Sequence, residues 1–229
     1  MIERPSPNYN ARPPGKPIDM LVIHYTGMRD AEAALRRLTD PEAQVSSHYL
    51  IDEAGLVYRL VDEARRAWHA GVSYWAGERD INGASIGIEL ANPGHEFGYR
   101  PFPEPQMMAL IALCRGILAR HPIPAARVLG HSDVAPARKV DPGELFDWPR
   151  LAASGIGQCP RPASGPADLA SVQKALARFG YEVTESGKSD EPTRLALMAF
   201  QRHFRPTRID GLPDEETRAL LYGAVATAS

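Results

Sequence analysis

Residues Ser154-Gly155-Ile156-Gly157-Gln158-Cys159-Pro160-Arg161-Pro162-Ala163-Ser164-Gly165-Pro166 form a stretch that neither a helix nor a strand accommodates. Proline lacks the amide hydrogen that both structures use, and glycine loses the most backbone freedom on ordering. A run rich in both is therefore a boundary between folded units. It divides the 229 residues into two unequal parts. The expected organisation is a domain over 1–154 with a Pro-rich N-terminal arm, a linker over 155–165 and a small helical domain over 166–229.

The longer part mixes two periodicities. Met20–Tyr25 is a short apolar run closed by an aspartate before it and a glycine after it, and reads as a buried strand. In Ser85–Leu90, Ile86, Ile88 and Leu90 alternate with Ser85, Gly87 and Glu89, the signature of a strand with one apolar face. Runs at 47–52 and 56–61, joined by Asp52-Glu53-Ala54-Gly55, predict a hairpin. Helical spacing appears from Asp30 to Leu38, and from Glu104 to Arg120, where His121-Pro122 ends it. Interspersed strands and helices predict an α/β domain with a central mixed sheet flanked by helices. Residues 1–17 are expected to lie over it as an extended arm. Beyond the linker, apolar residues at helical spacing predict three helices over Asp168–Phe179, Glu191–Phe204 and Asp214–Leu221, a small all-α unit.

Composition narrows the function. With 44% apolar and 24% charged residues, the chain has the make-up of a soluble globular protein. A net charge of −2 leaves no basic footprint for nucleic acid or an anionic membrane. The N-terminus lacks a basic segment followed by an apolar one, and no run reaches membrane-spanning length. The expectation is a monomer without a membrane anchor, cytoplasmic unless a signal has been removed or another export route is used. Of the two cysteines, Cys114 falls on the apolar face of a predicted helix and Cys159 in the linker, so neither a disulfide scaffold nor a thiolate metal site is expected.

The chemistry concentrates in Gly130–Gly143, which holds His131, Lys139 and Asp141. Pro136 and Pro142-Gly143 make this a structured loop, the usual place for reactive groups. An imidazole and a carboxylate are zinc ligands, and a catalytic zinc takes three protein ligands and a water. The third candidate is His24, near the end of its predicted strand. Alone, His24 reads more simply as a core histidine bonded to a carbonyl; the His131–Asp141 loop shifts the balance to a ligand.

Val22-Ile23-His24-Tyr25-Thr26, Ser46-Ser47-His48-Tyr49-Leu50-Ile51, Arg66-Ala67-Trp68-His69-Ala70-Gly71 and Ser85-Ile86-Gly87-Ile88-Glu89-Leu90 precede that loop in order. Together the five segments closely resemble the AmpD/AmiD-type N-acetylmuramoyl-L-alanine amidases, the zinc amidase_2 family, over residues 15–155. The resemblance implies one zinc on His24, His131 and Asp141. It implies Glu89 as the base, and Lys139 as the stabiliser of negative charge on the tetrahedral intermediate. Trp68, His69 and Asn92 are expected to meet the substrate, Trp68 by stacking on a sugar. The implied reaction is hydrolysis of the amide between N-acetylmuramic acid, in its plain or its 1,6-anhydro form, and L-alanine in peptidoglycan or muropeptides, during cell-wall recycling or turnover.

Ser47 stands where the related T7-type lysozymes place a tyrosine, and Asp141 where other members use cysteine; both point to the AmpD/AmiD subgroup. His48 is expected to be structural, and His95, His121 and His203 to lie at the surface. Val172-Gln173-Lys174-Ala175-Leu176, Gly180, Phe200-Gln201 and Asp210-Gly211 resemble the peptidoglycan-binding PG_binding_1 family. Two rival readings remain: a non-catalytic peptidoglycan-binding or sensing protein, and a zinc peptidase acting on another amide.

Overall fold

A computed structural model describes residues 1–227, so the last two residues of the expected helical domain lie outside the described residues. The strands are β1 (Ile2–Glu3), β2 (Tyr9–Ala11), β3 (Met20–Tyr25), β4 (Tyr49–Ile51), β5 (Val57–Arg59), β6 (Arg65–Ala67), β7 (Ser85–Leu90) and β8 (Val128–Gly130). Among them lie helices α1 (Ala31–Thr39), α2 (Ile81–Ala84), α3 (Gly94–Phe97) and α4 (Glu104–Arg120), followed by α5 (His131–Val134) and α6 (Trp148–Ala153). The last part holds α7 (Leu169–Phe179), α8 (Glu191–Phe204) and α9 (Glu215–Thr227).

Six strands form a mixed sheet in the order β1-β5-β4-β7-β3-β8, with β3 parallel to both of its neighbours. The predicted hairpin is the antiparallel pair β4–β5. Asp52 Oδ1 closes its turn by accepting from the backbone N–H groups of Ala54 and Leu56. The N-terminal arm does more than lie over the domain: β1 extends the sheet beside β5, and β2 pairs with β6 in a second, two-stranded sheet.

Strand alternation decides which face carries chemistry. Leu21 and Ile23 of β3 and Ile86, Ile88 and Leu90 of β7 turn to α4, where Met107, Leu110, Cys114 and Ile117 complete a buried layer. The opposite face carries Met20, Val22 and His24 from β3, and Ser85, Gly87 and Glu89 from β7. Register pairs Met20 with Ser85 through Tyr25 with Leu90, so His24 and Glu89 stand side by side. A slip of one residue would send them to opposite faces, and burial of the Ile86–Ile88–Leu90 layer forbids it.

The three expected C-terminal helices are present, but α9 runs to Thr227 and not merely to Leu221. Gly223 does not stop it, since glycine inside a helix costs only about 1 kcal/mol. Its missing side chain admits the linker, because a Cβ there would lie 1.9 Å from the Arg161 carbonyl oxygen. The linker is packed down: the Ala163 N–H donates to Ala219 O, and Tyr222 donates to Pro166 O.

The C-terminal helices also share a core with the sheet. Val172, Leu176, Phe179 and Phe200 form one buried cluster with Met20, Val22, Trp75, Leu129 and Val134. A cluster that crosses the boundary couples the two parts, where the composition of the linker suggested two separate cores. Calorimetry should therefore show one unfolding transition for the whole chain. Phe200→Ala, which empties a fully buried site, should shift that transition as a unit, at a cost of about 3–5 kcal/mol. Two separated transitions, with only one moved by the substitution, would contradict the shared core.

Candidate active site

The site lies at the carboxyl edge of β7, β3 and β8, where open α/β sheets bind their ligands. His24 is the penultimate residue of β3, and His131 opens α5 directly after β8. Asp141 is brought back to them by the following loop, which the Ser132 N–H closes by donating to Asp141 O at 2.9 Å. The stretch expected to be loop throughout thus begins with one helical turn. His24 Nδ1 and His131 Nδ1 are 2.9 Å apart, and Asp141 Oδ2 is 3.2 and 3.1 Å from them. All three residues are buried.

The outer hydrogen bonds fix where the protons sit. His131 Nε2 lies 3.1 Å from Ala70 O, and a carbonyl only accepts, so Nε2 carries the hydrogen and Nδ1 offers a lone pair. A longer chain settles His24. Ser85 Oγ donates to Ile81 O, so it accepts from His69 Nε2 at 3.2 Å. His69 Nδ1 is then an acceptor, and at 3.1 Å it takes the hydrogen of His24 Nε2. Two imidazole lone pairs and a carboxylate oxygen therefore converge with no proton among them. That repulsive arrangement suits a cation, and the three ligand atoms form a group that could hold a metal ion. A tetrahedral zinc with bonds of about 2.0–2.1 Å would set its ligands about 3.3 Å apart, close to the distances found. The residues fit the metal.

His69 reaches its place because residue 87 is glycine: a Cβ there would stand 2.5 Å from the His69 ring. His48, buried behind it, is structural as expected, accepting from the Gly87 N–H at Nδ1 and donating from Nε2 to Arg65 O. Burial lowers the pKa of His24 to about 4, helped by the neighbouring His131, while Asp141 works the other way. Burial likewise holds His69 well below its usual value and His48 at about 3. For Asp141, burial opposes ionisation, and a positive charge on the His131 or His24 side, such as a proton on either ring, outweighs it and holds the carboxyl far below the usual range. Glu89 moves in the opposite direction: burial and then the Asp141 charge raise it well above the ordinary value, against the pull of Lys139. Its Oε2 is buried without a hydrogen-bond partner among the described residues.

A cleft of about 510 Å³ opens over this group, lined by His24, Glu89, His131, Lys139 and Asp141, with Trp68 on its wall. The Lys139 side chain makes no hydrogen bond or ion pair with another described residue, yet its charge acts on both Glu89 and His24. Trp68 is half-buried, with its indole N–H donated to Asn10. His69 also borders the cleft, but both ring nitrogens are committed to His24 and Ser85. Asn92 does not line it: the side chain is buried, donating to Arg100 O and accepting from the Gly94 N–H, and so braces its own loop.

Of the histidines expected at the surface, His95 is exposed against Glu144 and His121 is partly exposed against Glu63. His203 is not at the surface. It is buried against Asp133, 2.8 Å from Oδ2, because packing of the helical part on the sheet encloses it. Sequence reading also missed the Ala70 carbonyl and Ser85, which act on the ligands only through folded contacts.

Comparison with known proteins identifies the family. Residues 14–144 match the Amidase_2 family, N-acetylmuramoyl-L-alanine amidase, and residues 166–221 match PG_binding_1, a peptidoglycan binding domain. The chain belongs to the Amidase_2 family of N-acetylmuramoyl-L-alanine amidases. It is 42% identical over 226 residues to the amidase AmiD of Escherichia coli, covering 89% of this chain and 80% of that one. It is 36% identical over 166 residues to the 1,6-anhydro-N-acetylmuramyl-L-alanine amidase AmpD of Salmonella typhimurium, covering 65% of this chain and 87% of that one. A structure of E. coli AmiD with the substrate anhydro-N-acetylmuramic acid-L-Ala-D-gamma-Glu-L-Lys superposes with a TM-score of 0.81 at 40% identity, covering 95% and 92% of the two chains. AmpDh3 of Pseudomonas aeruginosa, in complex with anhydromuramic pentapeptide, does so with a TM-score of 0.82 at 34% identity, covering 95% of each.

The buried neutral imidazoles leave a pH signature on the metal-free chain. Above pH 6.5 they are neutral in both folded and unfolded states. Below it the unfolded chain takes up protons that the folded chain refuses, down to about pH 4 at His24 and about pH 3 at His48. Each such group removes about 1.4 kcal/mol of stability per pH unit. Glu89 works against this, since its raised folded pKa gains stability as the pH falls, but one carboxyl opposes three imidazoles. Urea unfolding should therefore show stability dropping from about pH 6.5 to about pH 5.5, above the range in which ordinary carboxylates titrate. A flat profile over that window would contradict neutral, buried histidines.

Proposed function

We propose that this chain hydrolyses the amide between the lactyl group of N-acetylmuramic acid and L-alanine in peptidoglycan fragments, with one zinc held by His24, His131 and Asp141. The observation that carries the reading is the inward convergence of those three lone-pair donors beside a carboxyl with raised pKa, in a chain of this family. When bound, zinc supplies a Lewis acid that polarises the amide carbonyl and acidifies water. Glu89 is the base. Its raised proton affinity and unpartnered Oε2 suit it to take the proton of the attacking water. Water oxygen bonds to the carbonyl carbon, the carbon–nitrogen bond breaks, and Glu89 returns the proton to the alanine nitrogen. The uncommitted Lys139 ammonium stabilises the oxygen that gains negative charge.

Trp68 offers an aromatic face to the sugar from the cleft wall. His69 acts on His24 and not on substrate, holding its tautomer and ring direction. E. coli AmiD has been solved with the substrate anhydro-N-acetylmuramic acid-L-Ala-D-gamma-Glu-L-Lys and AmpDh3 with an anhydromuramic pentapeptide, and such fragments are the first substrates to offer this chain. A sensing role without catalysis would leave Glu89 and Lys139 without purpose beside an intact ligand set.

Glu89→Gln should keep zinc but lose about 10²–10⁴-fold in the rate of peptide release from a purified muropeptide. Gln preserves the size of the side chain but cannot accept the proton. A variant within about twofold of wild type would remove Glu89 from the mechanism.

A further inference from the structure

We propose that Tyr181 and His203, which belong to the C-terminal helical part, position the metal ligand His131 by clamping Asp133. The inference rests on the zinc reading above. Asp133 lies two residues after His131 in α5 and is 1% exposed. Its Oδ2 accepts from the Gly130 N–H at 2.7 Å and from His203 Nδ1 at 2.8 Å, and its Oδ1 accepts from the Tyr181 hydroxyl at 2.8 Å. Two of these three donors come from beyond residue 180.

α5 has only four residues. A single turn does not hold its own direction, because helix formation in so short a segment is unfavourable without outside contacts. The contacts that hold it are specific. The Tyr74 N–H donates to Val134 O at its far end. The His203 ring is sandwiched between Trp148 at 3.7 Å and Phe204 at 4.0 Å, nearly parallel to both. The Tyr181 ring meets Trp75 edge-on at 4.9 Å. Gly180, at φ +145°, permits that approach, since a Cβ there would stand 2.4 Å from the Trp75 ring. Both donors are thus rigid, and both converge on one carboxylate next to a metal ligand. A module that served only to tether the enzyme to a polymer would need neither.

Tyr181 and His203 are positioning residues, so zinc retention is the decisive readout. Tyr181→Phe keeps the ring and deletes one hydrogen bond; His203→Phe keeps the stack and deletes another. Leu176→Ala, in the same buried cluster as Tyr181 but not among the hydrogen-bond donors to the Asp133 carboxylate, serves as a control for general destabilisation. Zinc affinity of the full chain would be measured by competition with a chromophoric chelator, well below each variant's melting temperature. Both Phe variants should hold zinc about 10–100-fold more weakly than wild type, while Leu176→Ala holds it normally. Equal affinity in the Phe variants and wild type, or equal losses in all three variants, would overturn the inference and leave the helical part as a support for the fold. A wild-type chain that takes up no zinc would instead overturn the metal reading, and this inference with it.

Discussion

Parallel pairing of β3 between β7 and β8 is the constraint on which the rest depends. Parallel neighbours finish at the same edge, so their last residues and the turns that follow them meet there. His24, Glu89 and His131 reach one point from positions far apart in sequence because of it. The register is fixed from the other side, by the apolar layer against α4. A hydrophobic contact on one face thereby sets the alignment of His24 and Glu89 on the other.

Around that point the polarity of each hydrogen bond runs outward. His131 gives its proton to Ala70 O, and His24 gives its proton to His69, which gives one to Ser85, which gives one to Ile81 O. Burying an ionised carboxylate without a partner would cost several kcal/mol, so an Asp141 facing two lone pairs is stable only with positive charge among them. The protein supplies a socket whose own electrostatics call for a cation, and sets beside it a glutamate with raised proton affinity.

Elements with enough residues to show a period were legible in the sequence. β7 and α4 fall where alternation and helical spacing predict them, as does α8. The His24–His131–Asp141 group was legible because residue chemistry and ordered motifs agreed. β6, β8 and α5 were not, since three or four residues carry no period and no hairpin turn marks them as Asp52-Glu53-Ala54-Gly55 marks the equally short β4 and β5. His203 was misjudged because its burial is decided by Asp133, seventy positions away, and no local pattern announces that partner. Asn92 fails for a similar reason: its neighbours in sequence mark the strand end, while its amide turns inward to Arg100. The linker looked like a tether in composition, yet the surfaces on either side of it are complementary and apolar.

The measurement that bears most directly on this account is X-ray absorption of the zinc-loaded protein at the metal edge. The expected first shell has nitrogen and oxygen neighbours only, at about 2.0–2.2 Å, with multiple scattering from two imidazoles. Asp141→Ala should remove one oxygen from that shell or leave the protein without zinc. A shell containing sulfur, a third imidazole, or an unchanged signal in the Asp141 variant would contradict the three-ligand centre.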